Sequence, residues 1–133
     1  MKINNLELPD ALQADLTTGL RPLTEGQKPR LAEVLTATET PIPDLFDIEG
    51  IREANSLWVS AHVEHYLGDK SDIYRPGNVD PKKTLIIGQA EPDSPIALDY
   101  RIAPPRVVYF GDAGYWLELC PTYESLVLQL GAR

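Results

Sequence analysis

The chain has 133 residues, 43% of them hydrophobic, which is enough for one domain with a single core. Its 20 acidic and 12 basic residues give a net charge of −8, which opposes binding to nucleic acid phosphates. The single cysteine excludes an internal disulfide, no apolar run approaches the roughly 20 residues of a membrane-spanning helix, and residues 1–5 lack the pattern of a signal peptide. We therefore expect a cytoplasmic protein that binds neither nucleic acid nor membrane.

The first part of the chain predicts short helices separated by an irregular connection. Leu8, Leu12 and Leu16 recur at helical spacing, which predicts a first helix of about ten residues that covers the core. Glycine and proline then interrupt residues 26–43, so we expect only a short helix around Leu31 in this stretch.

A longer central helix is predicted over residues 48–66. Asp47 suits its N-cap and Gly68 its end. Six residues at helical spacing define its core-facing side: Ile51, Ala54, Leu57, Trp58, Ala61 and His65. Proline, glycine and asparagine signals then predict a long loop over residues 69–83.

The last third of the chain predicts a sheet. Runs rich in apolar and β-branched residues predict strands at residues 84–88, 96–100 and 106–110. A glycine-rich turn at residues 111–114 then leads to a fourth strand at residues 115–119, which forms a hairpin with the third.

A terminal helix is predicted to follow the last strand. Pro121 stands at a favoured helix start, Gly131 at a favoured end, and Tyr123, Leu126 and Leu130 recur at helical spacing between them. With strands clustered late in the chain, the sequence predicts a single α+β domain, a mainly antiparallel twisted sheet with helices packed against it.

The order of these elements resembles the SUKH superfamily, which includes the Smi/Knr cell-wall assembly regulators. The superfamily's closing segment reads small residue, any residue, Ser or Thr, aromatic, acidic, acidic, then aromatic or Leu. Residues 120–126 read Cys-Pro-Thr-Tyr-Glu-Ser-Leu, with Leu126 where an aromatic is usual and Cys120 where Ala is common. A second similarity covers residues 45–55, which resemble the lead-in to the superfamily's central helix. The resemblance spans residues 45–130.

This resemblance implies a non-enzymatic protein-binding module without a cofactor, with residues 1–133 forming one SUKH-like domain. Bacterial members of the superfamily are taken to be immunity proteins that neutralise a cognate toxin, and fungal relatives regulate cell-wall assembly. We therefore expect a bacterial immunity protein. Two alternatives stay open: a regulatory or scaffold domain that binds an endogenous protein, and a small metal-dependent hydrolase.

Acidic residues concentrate between Glu33 and Glu53, where Arg52 is the only basic residue. One interpretation is an ordinary solvated face that aids solubility. The other is a docking patch for a basic toxin, whose nuclease cleft carboxylates can block by mimicking phosphate. The candidate partner-binding residues are Asp44, Asp47, Glu49 and Glu53.

Three residues have side chains that could bind a metal ion or act as a nucleophile: His62, His65 and Cys120. His62 and His65 are one helical turn apart and could share a metal ion, but no third ligand has recognisable spacing. Cys120 could pair with either histidine as a nucleophile, yet a lone cysteine before a helix-starting proline is usually a small buried hydrophobe. We expect no metal site and no catalytic set.

Two further patterns have ordinary structural explanations. Residues 111–114 lack the Lys-Ser/Thr of a phosphate loop and fit a hairpin turn. Asp99 and Glu118 could pair for acid/base chemistry, but Asp99 fits better as an acceptor of backbone hydrogen bonds where its strand ends. The aromatic candidates for partner contact, which also suit a core, are Trp58, Tyr66, Tyr100, Tyr115 and Trp116.

Overall fold

The computed structural model describes residues 1–17, 27–34, 44–60, 76–77, 79–91, 94–110 and 116–130. Within these residues the elements are β1 (Lys2–Ile3), β2 (Leu6–Glu7), α1 (Asp10–Thr17), α2 (Gln27–Val34), β3 (Asp44–Leu45), α3 (Ile48–Ser60), β4 (Pro76–Gly77), a 3-10 turn (Pro81–Lys83), β5 (Thr84–Glu91), β6 (Ser94–Asp99), β7 (Arg106–Phe110), β8 (Trp116–Cys120) and α4 (Tyr123–Leu130).

The strands form an antiparallel main sheet and a separate hairpin. The main sheet has the strand order β3-β5-β6-β7-β8-β4, and β1 and β2 form a separate two-stranded sheet. Helices pack against this sheet, so the predicted α+β fold is confirmed.

Buried side chains lie on both faces of the main sheet because successive residues of a strand point to opposite sides. On one face, Leu85, Leu98 and Val107 belong to a large core that also takes residues from α1, α2 and α4. On the other face, Ile86 and Ala97 pack in a smaller cluster. That cluster comprises Trp58, Val79, Ile86, Ala97, Val108 and Trp116.

The predicted helices are present in the described residues. In α1, Leu12 is buried and Leu16 packs against the core, and α2 includes the buried Leu31. The central helix is confirmed from Ile48 to Ser60, and its continuation to residue 66 lies outside the described residues. Leu57 was assigned wrongly, because its side chain is 59% exposed although its spacing suggested the core.

The strand predictions hold with changes at their boundaries. β5 and β6 extend the predicted hairpin toward Glu91 and Ser94, and β7 covers the predicted residues. The predicted loop at residues 69–83 also contains the two-residue edge strand β4 and the 3-10 turn. β1, β2 and β3 were not predicted, because they have two residues each and carry no periodic signal.

Asn55 joins the central helix to the sheet. Its side chain is fully buried, its amide nitrogen donates to the carbonyl oxygen of Ile86 at 2.9 Å, and its Oδ1 accepts from the Ile86 amide at 2.8 Å. The same nitrogen also donates to the Ile51 carbonyl at 2.7 Å. Asn55 therefore pairs with both backbone polar groups of one residue of β5, as a neighbouring strand would.

Gly88 permits the short strand β3 to lie beside β5. A Cβ atom at Gly88 would stand 2.3 Å from the Asp44 carbonyl oxygen and 2.9 Å from Leu45 Cδ2. The next residue, Phe46, donates its amide to the Ile87 carbonyl at 2.8 Å before the chain enters α3. A side chain at Gly88 would therefore displace β3, the strand that leads directly into α3.

We expect Asn55→Ala to lower the free energy of unfolding by about 3 kcal/mol, because it leaves both polar groups of Ile86 buried without a partner. Urea unfolding at neutral pH measures the change. Gln129→Ala, at an exposed position of α4, is the matched control and should stay within about 0.5 kcal/mol. A loss below about 1 kcal/mol at Asn55 would contradict the joining role.

Candidate functional site

The candidate acidic residues lie along the entry into α3. Asp44 is half-buried in β3 opposite Gln89, whereas Asp47, Glu49 and Glu53 are exposed. Asp47 Oδ1 accepts a hydrogen bond from the Gly50 amide at 2.9 Å, so Asp47 caps the helix as predicted. The structure therefore places three of the four candidates on exposed positions, and it places Asp44 in the sheet edge.

The exposed residues of α3 form one face of the helix. Glu49, Glu53 and Leu57 follow each other at intervals of four residues, with Arg52 and Ser56 beside them. Arg52 approaches Glu49 at 3.9 Å, and both side chains are more than half exposed, so this ion pair adds little stability. We call these five residues the acidic face of α3.

Asp99 and Glu118 are brought together by an arginine between them. The Asp99 side chain is fully buried, and Arg106 approaches its Oδ2 at 2.9 Å and Oε1 of Glu118 at 3.5 Å. Arg101 donates to Asp99 from its backbone amide at 3.1 Å and from its guanidinium at 2.9 and 3.0 Å. The predicted backbone hydrogen bond at the strand end is therefore present, together with two arginines that the sequence analysis did not assign.

The surroundings of Asp99 make it a poor proton acceptor. Burial raises the pKa of its carboxyl, but hydrogen bonds and charge from Arg101 and Arg106 outweigh burial and hold the pKa below its usual value. A general base works best with a pKa near the operating pH. Asp99 is therefore better suited to holding the chain in place than to transferring protons.

Cys120 lies at the end of β8 with a fully buried side chain. Burial, and secondarily the charge of Glu118, raise the pKa of its thiol, so the reactive thiolate is disfavoured. The prediction of a small buried hydrophobe is confirmed. Residues His62 and His65, and the turn at residues 111–114, lie outside the described residues.

Of the aromatic candidates, Trp58 and Trp116 belong to the core. They are buried, and their rings meet edge to face with centroids 6.3 Å apart. Tyr100 is half-buried and donates its hydroxyl to the Glu7 carbonyl at 2.7 Å. Tyr66 and Tyr115 lie outside the described residues. The three described candidates therefore contribute to the fold.

The described residues show no donor set that could hold a metal ion, since no three His, Cys, Asp or Glu side chains among them come together. Buried side-chain nitrogen and oxygen atoms in the same part of the chain all have hydrogen-bond partners. A small cavity of about 10 Å³ lies beside Leu12, Phe46 and Tyr123, with room for about one water molecule. This cavity is too small for an organic ligand.

Three residues that shape this part of the molecule were not predicted to do so: Asn55, Arg101 and Arg106. A signal existed for the arginines, because an acid at a strand end followed by basic residues at both ends of the next loop suggests an ion pair. Asn55 ends the segment 45–55 that carries the resemblance, but no signal marked it as buried, since a polar residue in a helix is usually exposed.

No helix in the described residues is long and apolar enough to cross a membrane. Comparisons with models of protein families, with curated proteins and with solved structures found no match for this chain.

We expect Asp99→Asn to lower the free energy of unfolding by about 3 kcal/mol at pH 7, because Arg101 and Arg106 lose their buried counter-charge. An unfolded aspartate has a pKa near 3.9, and the folded value is lower. The carboxylate's contribution is therefore complete above about pH 4 and is lost as the pH falls through the folded pKa. Urea unfolding of both proteins at pH 7 and at about pH 2.5 measures this. A stability difference that does not shrink in acid would contradict it.

We expect Cys120→Ala to lower the free energy of unfolding by about 1 to 2 kcal/mol without affecting partner binding, because the side chain only fills space in the core. Urea unfolding and a binding assay measure the two effects. Lost binding at unchanged stability would show that the thiol has a functional role.

Proposed function

We propose that this protein is a non-enzymatic protein-binding module of the SUKH type, acting in the cytoplasm as a bacterial immunity protein that neutralises a cognate toxin. The observation that supports the proposal is the acidic face of α3. It belongs to a helix whose first residues resemble the superfamily's lead-in to its central helix.

The position of each acidic residue at α3 indicates whether it stabilises the helix or is available for docking. Asp47 caps α3. Glu49 lies in the first turn of α3, where its negative charge interacts favourably with the helix dipole and stabilises the helix. Helix stability therefore accounts for these two residues. Glu53 lies one turn further on, is exposed, and makes no hydrogen bond or ion pair within the described part of the chain. Glu53 therefore has no structural role among the described residues, and we assign it to docking.

Charge favours a basic partner. The chain carries a net charge of −8, so it attracts basic proteins from a distance and repels copies of itself. Glu49 and Glu53 against Arg52 leave the acidic face with a net charge of −1, which adds a local attraction to a basic partner and raises the association rate. A toxin that cleaves nucleic acid has a basic cleft, and carboxylates can occupy the positions of its phosphates.

A regulatory domain that binds an endogenous protein would use the same kind of surface. The two functions differ only in the partner. A toxin-like product encoded next to this chain would favour immunity.

We expect Glu49→Lys/Glu53→Lys to slow association with the purified product of the neighbouring gene by about ten-fold or more at low salt, because attraction becomes repulsion. The effect should shrink as salt rises. Stopped-flow or surface-based kinetics at two salt concentrations measure it, and thermal unfolding checks the fold.

The matched control is Asp10→Lys/Glu124→Lys, which makes the same change in net charge at exposed acids in the first turns of α1 and α4. It should slow association less. Equal slowing by both variants would mean that net charge acts and that the acidic face is not the docking surface. If the unaltered protein neither binds nor protects against the neighbouring product, the immunity proposal is wrong.

A further inference from the structure

The loop that joins β6 to β7 presents apolar residues to solvent. Residues 101–104 are consecutively exposed, and three of them are Ile102, Ala103 and Pro104. The Ile102 side chain is 44% exposed. Single exposed apolar residues are common, but a contiguous run at the tip of a loop is typical of an interaction surface.

Both ends of this loop are held in place. Asp99 accepts hydrogen bonds from Arg101 at the start of the loop and from Arg106 at its end. Tyr100 donates its backbone amide to the Lys83 carbonyl at 2.8 Å and its hydroxyl to Glu7 in β2 at 2.7 Å. A loop that is already ordered loses little conformational entropy when it binds, which favours affinity.

Stability alone does not account for these buried ions. Well-packed apolar residues of similar volume often stabilise a core as well as a buried ion pair does. The Asp99 carboxylate also fixes the geometry of the loop, because it accepts hydrogen bonds from Arg101 on one side of the loop and from Arg106 on the other. The arrangement fixes the shape of the segment that carries Ile102.

The charge of the residues beside the loop indicates the charge of the surface that the loop contacts on the partner. Lys82 and Lys83 are exposed in the 3-10 turn, and Lys83 is hydrogen-bonded to Tyr100. Together with Arg101 and Arg106, they make four of the chain's 12 basic residues. Asp99 and Glu118 offset the two arginines. Asp80, whose Oδ1 accepts a hydrogen bond from the Lys82 amide at 3.0 Å, offsets one of the lysines, so one positive charge is left beside the loop of an acidic protein.

We infer that residues 100–105 form an apolar anchor of the partner interface, and that they enter a protein pocket bordered by carboxylates. The inference rests on the proposed function and adds a second contact to it. Both contacts can be located along β5. β3, which leads into α3, pairs with β5 at Gly88 and Gln89. The loop begins after Asp99, which pairs with the other end of β5 at Thr84. Five residues of strand span roughly 17 Å. Along β5, the start of α3 and the start of the loop therefore lie within the span of an interface of standard size, about 800 Å² on each partner.

The test measures binding kinetics with the purified product of the neighbouring gene. Ile102→Asp should raise the dissociation rate by about ten-fold or more while leaving the association rate nearly unchanged, because an anchor acts after encounter. Ile102→Leu should keep wild-type kinetics. Leu128→Asp, at an 81% exposed position of α4, is the matched control and should have no effect. Thermal unfolding checks that each variant folds.

Charge reversal tests the acidic border. Lys82→Glu/Lys83→Glu should slow association, although extra negative charge would speed association with a partner that is basic throughout. Faster association, or an unchanged dissociation rate for folded Ile102→Asp, overturns the anchor and leaves the proposed function standing. No binding by the unaltered protein overturns both.

Discussion

The arrangement of this protein depends on the pairing between Asn55 and Ile86. β5 has β6 along one edge, while β3 covers only its far end, so the backbone groups of Ile86 need another partner. The buried amide of Asn55 supplies both a donor and an acceptor there. A sheet edge left open can pair with another chain. One side chain therefore satisfies the edge and holds α3 against it.

The position of the acidic face follows from this pairing. With Asn55 pointing at β5, residues Ile51 and Trp58 on the same side of α3 are also buried. Residues Glu49 and Glu53 are then directed to solvent, because the helix period places them on the opposite side. The exposed position of Leu57 has the same cause. The spacing of Leu57 fits a broad apolar stripe on the helix. The side of α3 that is buried is centred on Asn55, a polar residue that a search for apolar periodicity leaves out.

The sequence predicted the elements that bury regular apolar patterns and missed those set by single contacts. The central strands, α1 and α4 were predicted because alternation or helical spacing repeats within each. The two-residue strands β1, β2 and β3 have no repeat. Their positions depend on positive φ angles at Asn4 and Asn5 and on close approach at Gly88. For the site, the exposure of Glu49 and Glu53 was predictable from helical spacing. The fixing of the β6–β7 loop by Asp99 depends on an acid followed by two nearby arginines, a signal that is not periodic.

The two surfaces of the proposed interface are held by different forces. An uncharged amide joins α3 to β5, so this contact has no charge that salt could screen or pH could change. Buried ions fix the loop, and burial protects them from salt, while the lowered pKa of Asp99 keeps its charge at any pH near neutrality. Salt therefore acts mainly on the exposed charges Glu49 and Glu53 and on the lysines of the 3-10 turn. The salt dependence of association therefore measures the electrostatic attraction between the partners, because salt leaves the shape of the two surfaces unchanged.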